Sequence, residues 1–208
     1  MTSVPTGPGG GPLPGHVAWV AGLAGGAVPG ADREDRALLA LVEAARGLGI
    51  SRITVQEPSG GRALRAHAHE LAARGVAVAC MPPHADGTPR PRDLVEVVAP
   101  ALSVLLADER SGRRDLVKAV RVLAARGLRP KDVDEAAISE ALGVPDVDLL
   151  VLTGGDRRVP DLLVWQVKYS EIVVLEDHWP DLGAAQFHAA VAEYQRRDRR
   201  YGGLVASR

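Results

Sequence analysis

A chain of 208 residues, 46% of them hydrophobic, can bury one sizeable core but not two comfortable domains. Twenty-five basic residues against 26 acidic ones leave no global field to draw nucleic acid, and three Trp, three Tyr and one Phe are too few for a base-stacking platform. The single cysteine, Cys80, excludes an internal disulfide and fits a reducing cytoplasm, and no apolar run nears the roughly 20 residues of a membrane span.

In chain order, residues 1–15 are rich in Pro and Gly, lack the basic start and apolar centre of a signal peptide, and are expected to form a disordered leader. From His16 onward, apolar runs alternate with stretches of helical period. The strand candidates are HVAWVAG, RITVQE (52–57), VAVACMP (76–82), ALSVLLAD (101–108), VDLLVLTGG (147–155) and EIVVLED (171–177). Helix candidates fall between and after them: DREDRALLALVEAARGLG, GRALRAHAHELAARG, SGRRDLVKAVRVLAARG with a Ser111 cap, DEAAISEALG, DLLVWQVKYS and AAQFHAAVAEYQRRDRR. Continuous apolar strands alternating with helices predict a single α/β domain over 16–203, with a mostly parallel six-stranded sheet and flanking helices, followed by a tail at 204–208. Ligands of such sheets sit beyond the C-terminal strand ends. Here those ends are the 21–31 loop, Glu57–Gly61, Asp108–Gly112 and Thr153–Pro160.

The histidines do not form a metal set. His67 and His69 are two apart on a helix candidate, and there is no HExxH or Cys/His cluster. Ser59 does not sit in a nucleophile elbow, because Glu57 stands where that motif has Gly. The stretch from Leu152 to Ile172 is richer. Paired glycines let a backbone approach an anion, and Arg157 and Arg158 add cationic donors, although a plain surface turn with solvated arginines fits the same residues. Near the chain end, EYQRRDRRYGG gathers arginines on the last helical turn, where basic residues commonly answer the helix dipole.

Taken together, the residues at both ends resemble the cis-prenyltransferases, the undecaprenyl diphosphate synthase family. That family reads approximately D-L-x-I-R-T-(S/G)-G-E-x-R-x-S-N-F-L-L-W-Q-x-x-Y-(S/A)-E-L, then W-P-D-(F/L), then R-R-(F/Y)-G-G. This chain has DLLVLTGGDRRVPDLLVWQVKYSEI, HWPDL and RRDRRYGG, running from Asp148 to Gly203. The opening HVAWV matches the family's H-(V/I)-A-x-(I/V)-M-D-G-N-x-R-W start, while the middle of the chain follows the family only in the order of its elements. The resemblance implies a parallel sheet of about six strands and a dimer formed through the C-terminal half.

The departures are as informative as the matches. The family's catalytic Asp, which holds Mg²⁺ at the allylic diphosphate, aligns with Gly22, and its loop Asn and Arg align with Ala24 and Gly26. Without a carboxylate or cation there, an ionising diphosphate loses its main electrostatic support. The Arg, Arg and Ser that hold the homoallylic diphosphate read Leu152, Arg158 and Pro160. The tunnel-walling helix is short and carries Arg62, Arg65, His67, His69 and Arg74. What survives is Arg200-Tyr201-Gly202-Gly203, the C-terminal motif that in related dimers binds diphosphate in the neighbour's site, and Glu171, whose counterpart contributes to Mg²⁺ and diphosphate binding.

This pattern resembles the non-catalytic, Nogo-B receptor-type subunit of heteromeric cis-prenyltransferases. The resemblance implies a heterodimer with a homologous catalytic subunit. Arg200, Gly202 and Gly203 would be supplied in trans to a shared isopentenyl diphosphate site, with Mg²⁺ held mainly by the partner, Glu171 as a weak metal candidate, and Arg158 and Glu171 as diphosphate contacts. No catalytic residue is expected in this chain. A cytoplasmic protein is expected, with peripheral membrane contact suggested by the greasy products of such enzymes, and no nucleic-acid partner. Two alternatives remain open. One is a short-chain terpene-forming enzyme drawing its metal carboxylate from Asp32, Glu34, Asp35 or Asp108–Glu109, and the other is a regulatory protein that handles no isoprenoid.

Overall fold

The structure, a computed structural model, describes residues 11–21, 31–56, 62–80, 92–93, 97, 99–107, 112–155 and 157–198. Six strands run parallel: β1 (His16–Val20), β2 (Arg52–Gln56), β3 (Val76–Cys80), β5 (Leu102–Leu106), β6 (Leu149–Leu152) and β7 (Glu171–Val174). A two-residue strand, β4 (Arg92–Asp93), adds an antiparallel edge beside β3 and gives the order β4-β3-β5-β2-β1-β6-β7. The parallel six-stranded sheet is the one the apolar runs predict, and β4 is too short to carry a pattern of its own.

Side chains alternate across the sheet, as the pleat requires. Val17, Trp19, Ile53, Val55, Val104, Leu149 and Val151 face one side, where helices α1 (Ala31–Leu48) and α6 (Ala184–Arg196) pack against each other. Trp19 stacks on Phe187 at 5.7 Å between ring centroids. The HWPDL signature forms a 3-10 turn over Trp179–Asp181 that closes this side: Trp179 and Leu182 are buried, and Asp181 pairs with Arg33 of α1. Ala18, Leu105, Leu150 and Leu152 face the other side and meet Val144, Val147, Leu162 and Leu163. Next to that layer, helices α4 (Gly112–Ala125) and α5 (Glu135–Leu142) share a smaller cluster joined by Trp165.

Local signals explain several boundaries. Asp134 caps α5 by accepting the Ala137 N–H at 2.8 Å, and Gly143, at φ +69°, ends that helix in the left-handed conformation glycine adopts freely. The stretch after the second strand is interrupted at His67, giving α2 (Arg62–Ala66) and α3 (Ala68–Ala73), yet Leu64, Ala68 and Leu71 still share one buried face.

One expectation changes. DLLVWQVKYS is not a helix but a run of turns, because Leu163 takes φ +50°, which lets the consecutive Leu162 and Leu163 both enter the core. The N-terminus of α4 draws on a distant residue: Asp161 accepts the Gly112 N–H through its carbonyl at 2.7 Å and the Arg113 N–H through its carboxylate at 3.4 Å. The Ser111 cap lies outside the described residues. Residues 11–15, assigned by composition to the leader, pack on the domain, with Leu13 against the core and the Gln195 amide donating to the Gly11 carbonyl.

Candidate functional site

The connection leaving β1 crosses one sheet face through α1 to reach β2, and the connection leaving β6 crosses the opposite face through 161–170 to reach β7. The adjacent strands β1 and β6 therefore send their chains in opposite directions. The crevice beyond their C-terminal ends is where an open parallel sheet binds ligands. Its floor is tied together: Thr153, fully buried, donates its hydroxyl to the Val20 carbonyl at 3.2 Å, and the Ala21 N–H donates to the Gln56 carbonyl at 2.8 Å.

The described part of this crevice offers little to an anion or a metal. Leu152, where the family places arginine, is 3% exposed and packed in the core. The Gly154 and Gly155 N–H groups, candidates for backbone approach to a phosphate, donate instead to the Asp177 and Leu175 carbonyls at 2.8 and 3.0 Å. Arg157 is exposed and pairs with Glu176 at 3.6 Å. Arg158 is exposed on the turn beyond β6, beside Val159 and Pro160. Gly22 lies outside the described residues.

Glu171 sits at the other end of the sheet. It pairs in register with Leu149 at the start of β6, and its N–H donates to the Asp148 carbonyl at 2.9 Å. Its carboxylate accepts from Arg197 Nη1 at 3.3 Å. Magnesium needs several oxygen ligands, usually including carboxylates. Among the described residues no group of three or more His, Cys, Asp or Glu side chains is placed to hold a metal, and the Glu171 carboxylate already has a cationic partner. The described residues of this chain do not fit a magnesium centre. An open cavity of about 410 Å³ lies at this lower end, lined by Pro12, Leu13, Asp148, Tyr194 and Arg197. Arg200, Gly202 and Gly203 lie outside the described residues. The structure thus brings Glu171 next to the root of the C-terminal segment and separates it from the turn that carries Arg158.

The same end holds a polar group the sequence did not single out as a unit. The Asp148 carboxylate accepts the Gly15 and His16 N–H groups at 2.8 and 3.1 Å. The His16 ring is buried, with Nδ1 3.2 and 3.1 Å from the Pro145 and Asp146 carbonyls and Nε2 2.9 Å from the Thr54 hydroxyl. Carbonyls only accept, so Nδ1 carries the proton and Nε2 accepts from Thr54. Burial, helped by the nearby Arg52 charge, lowers the His16 pKa to about 4, so this histidine is neutral and structural. A leading Asp in a D-L-x-I run was the available clue to the Asp148 clamp, but its target lies 133 residues earlier in the chain. Among the described residues no helix is long and apolar enough to cross a membrane.

Residues 96–202, just over half of the chain, match the family model described as "Putative undecaprenyl diphosphate synthase". Isoprenyl transferase 2 of Bradyrhizobium diazoefficiens is 39% identical over 112 residues, covering 50% of this chain and 44% of that protein. The chain spans about half the length of the curated relatives it matches. Lavandulyl diphosphate synthase from Lavandula x intermedia, solved with dimethylallyl diphosphate, superposes with a TM-score of 0.69 at 22% identity, over 92% of this chain and 99% of that one. A "probable undecaprenyl diphosphate synthase" from Campylobacter jejuni gives 0.70 at 18% identity, over 98% and 100%. Both structures share the fold. With the family model covering β6, β7, α6 and the motifs between them, the chain belongs to the undecaprenyl diphosphate synthase family of cis-prenyltransferases.

Proposed function

We propose that this chain is the non-catalytic subunit of a heteromeric cis-prenyltransferase. The complex condenses isopentenyl diphosphate onto an allylic diphosphate at a site carried by a homologous catalytic subunit. Arg200, Gly202 and Gly203 of this chain complete that site in trans, with Mg²⁺ held mainly by the partner. Of the three side chains with which the family holds the homoallylic diphosphate, Arg158 is the one retained here. Peripheral membrane contact would follow from the apolar products.

The observation that carries this reading is Leu152. Where the family has a diphosphate-binding arginine, this chain buries a leucine in the sheet core. A diphosphate carries several negative charges, and among the described residues an aliphatic floor and engaged N–H groups give it less compensating field than the family's arginine would. The intact half of the molecule points the same way. Glu171 and the root of the C-terminal segment share the lower edge of β7, away from the crevice between β1 and β6.

The test is prenyl transfer with labelled isopentenyl diphosphate and a short allylic diphosphate. The chain is assayed alone, then co-expressed with a homologue from the same genome whose first loop reads Asp-Gly-Asn, each with and without Arg200→Ala. Activity confined to the pair and lowered at least about tenfold by Arg200→Ala supports the proposal. Turnover by this chain alone overturns it and turns attention to Asp32, Glu34, Asp35 and Asp108 as metal ligands.

A further inference from the structure

Helix α4 is fastened at its first turn and along one side. Asp161 accepts its first N–H groups, and Gly112 lies so close to Val164 that an added Cβ would come within 2.7 Å of that side chain. Ala119 and Leu123 are buried against Ala141 and Leu142 of α5. Arg126, just past the helix end, pairs with Glu140 of α5 at 3.1 Å. Val117 and Val120 lie outside that cluster. They are three residues apart, hence neighbours on the helix surface, and they remain 50% and 54% exposed. Around them the helix is basic: it carries Arg113, Arg114, Lys118 and Arg121 against one acid, Asp115, which Lys118 approaches at 3.8 Å. Arg113, Arg114 and Arg121 are exposed.

We propose that this face of α4 is a docking surface for the partner subunit: a helix of that subunit lays an apolar row flanked by carboxylates over Val117 and Val120, and the arginines around them select it over a second copy of this chain. The inference rests on the reading in which this chain works with a homologous catalytic subunit. A symmetric pair of this chain would set each α4, with its surplus of positive charge, against its own copy, and like charges across an interface cost affinity. An acid-flanked partner gains from the same charges, which makes them a device of specificity. A membrane surface fits less well, because helices that lie in it insert Trp, Phe or Leu. Valine side chains are short and suit the approach of one helix to within about 8–10 Å of another. Asp161, Val164 and α5 already hold α4 in place, so docking has little chain left to order. The valine pair is the centre of an interface and not the whole of it, since a stable complex buries about 800 Å² per partner.

The experiment measures binding of the purified full chain to the homologue whose first loop reads Asp-Gly-Asn, at about 50 and about 300 mM salt. It compares the parent with Val120→Ala, Val120→Glu and Arg121→Glu. Circular dichroism and thermal unfolding should stay at parental values, because both side chains already face solvent. Val120→Glu is expected to weaken binding at least about thirtyfold, and Val120→Ala about threefold. Arg121→Glu should weaken it about tenfold at low salt and flatten its salt dependence. If Val120→Glu fails to fold, Val120→Ala and Arg121→Glu decide. Unchanged affinity in the folded variants overturns the proposal and leaves the heteromeric reading standing. A dimer of this chain alone that Val120→Ala weakens puts a second copy on the face and also overturns it. So does cosedimentation with vesicles of about 30% anionic lipid that the variants lose while they bind the homologue like the parent. Failure of the parent to bind the homologue overturns the heteromeric reading and this proposal together.

Discussion

The Nε2 atom of His16 lies 2.9 Å from the Oγ1 atom of Thr54, two buried side chains on the adjacent parallel strands β1 and β2. With Nδ1 donating to the Pro145 and Asp146 carbonyls, the ring is held in one tautomer and kept neutral, a hydrogen-bonded unit inside an otherwise apolar layer. The His16 pKa is lowered to about 4 from 6.5, so between those values the unfolded chain binds a proton that the folded chain does not. Stability is therefore fully present above about pH 6.5 and declines as pH falls toward 4, by up to about 3 kcal/mol. Urea unfolding at about pH 7, 5.5 and 4.5 should show this decline, and His16→Gln should flatten it relative to the parent. An identical acid slope in both proteins would refute the assignment.

Asp148 binds the chain entering β1 to β6. Asp148→Ala leaves the Gly15 and His16 N–H groups without their carboxylate acceptor and is expected to cost about 1–3 kcal/mol in chemical denaturation. Asp148→Asn, which keeps one acceptor oxygen, should lose less.

Restoring the family arginine does not restore the family site. Leu152→Arg would place a cation in the apolar cluster that Leu152 shares with Leu150 and Leu162, between Val20 and Val174 on the neighbouring strands, and it is expected to destabilise the fold by about 3 kcal/mol or more. Thermal unfolding reads this directly. Gly22→Asp in the same chain is expected to yield no prenyl transfer by this chain alone, because Leu152 and Pro160 still stand where the family has Arg and Ser. Turnover in Gly22→Asp would contradict that.

Gly155 shapes the turn that carries Arg157 and Arg158. It holds φ +70°, and an added Cβ would come within 2.7 Å of the Glu176 carboxylate. The carboxylate sits on a flexible side chain and can move, so the backbone sets the cost, about 1–2 kcal/mol for Gly155→Ala. Substituting Glu176 by Ala at the same time should leave that loss nearly unchanged, as equilibrium unfolding would show.

By itself the sequence determined the class of the fold. Strands in the middle of a parallel sheet must be almost continuously apolar, so VAWV, ITV, VAVAC, LSVLL, LLVL and IVV declared six parallel strands, and helical period declared α1, α4, α5 and α6. Motif spacing from Asp148 to Gly203 carried the family, with Leu152 and Pro160 as departures within it. Tertiary structure decided what no local pattern encodes. DLLVWQVKYS has the composition of a helix, yet burying Leu162 and Leu163 together bends it into turns. Glycines that read as an anion cradle give their N–H groups to the carbonyls of Asp177 and Leu175, which only the pairing of β6 with β7 brings near. Glu171 and Arg197, and likewise Asp148 and His16, meet across 26 and 132 residues of chain. Hydrophobic periodicity is a property of neighbours along the chain, whereas the partner of a charge or an N–H group is settled by which strand ends the folded sheet sets side by side.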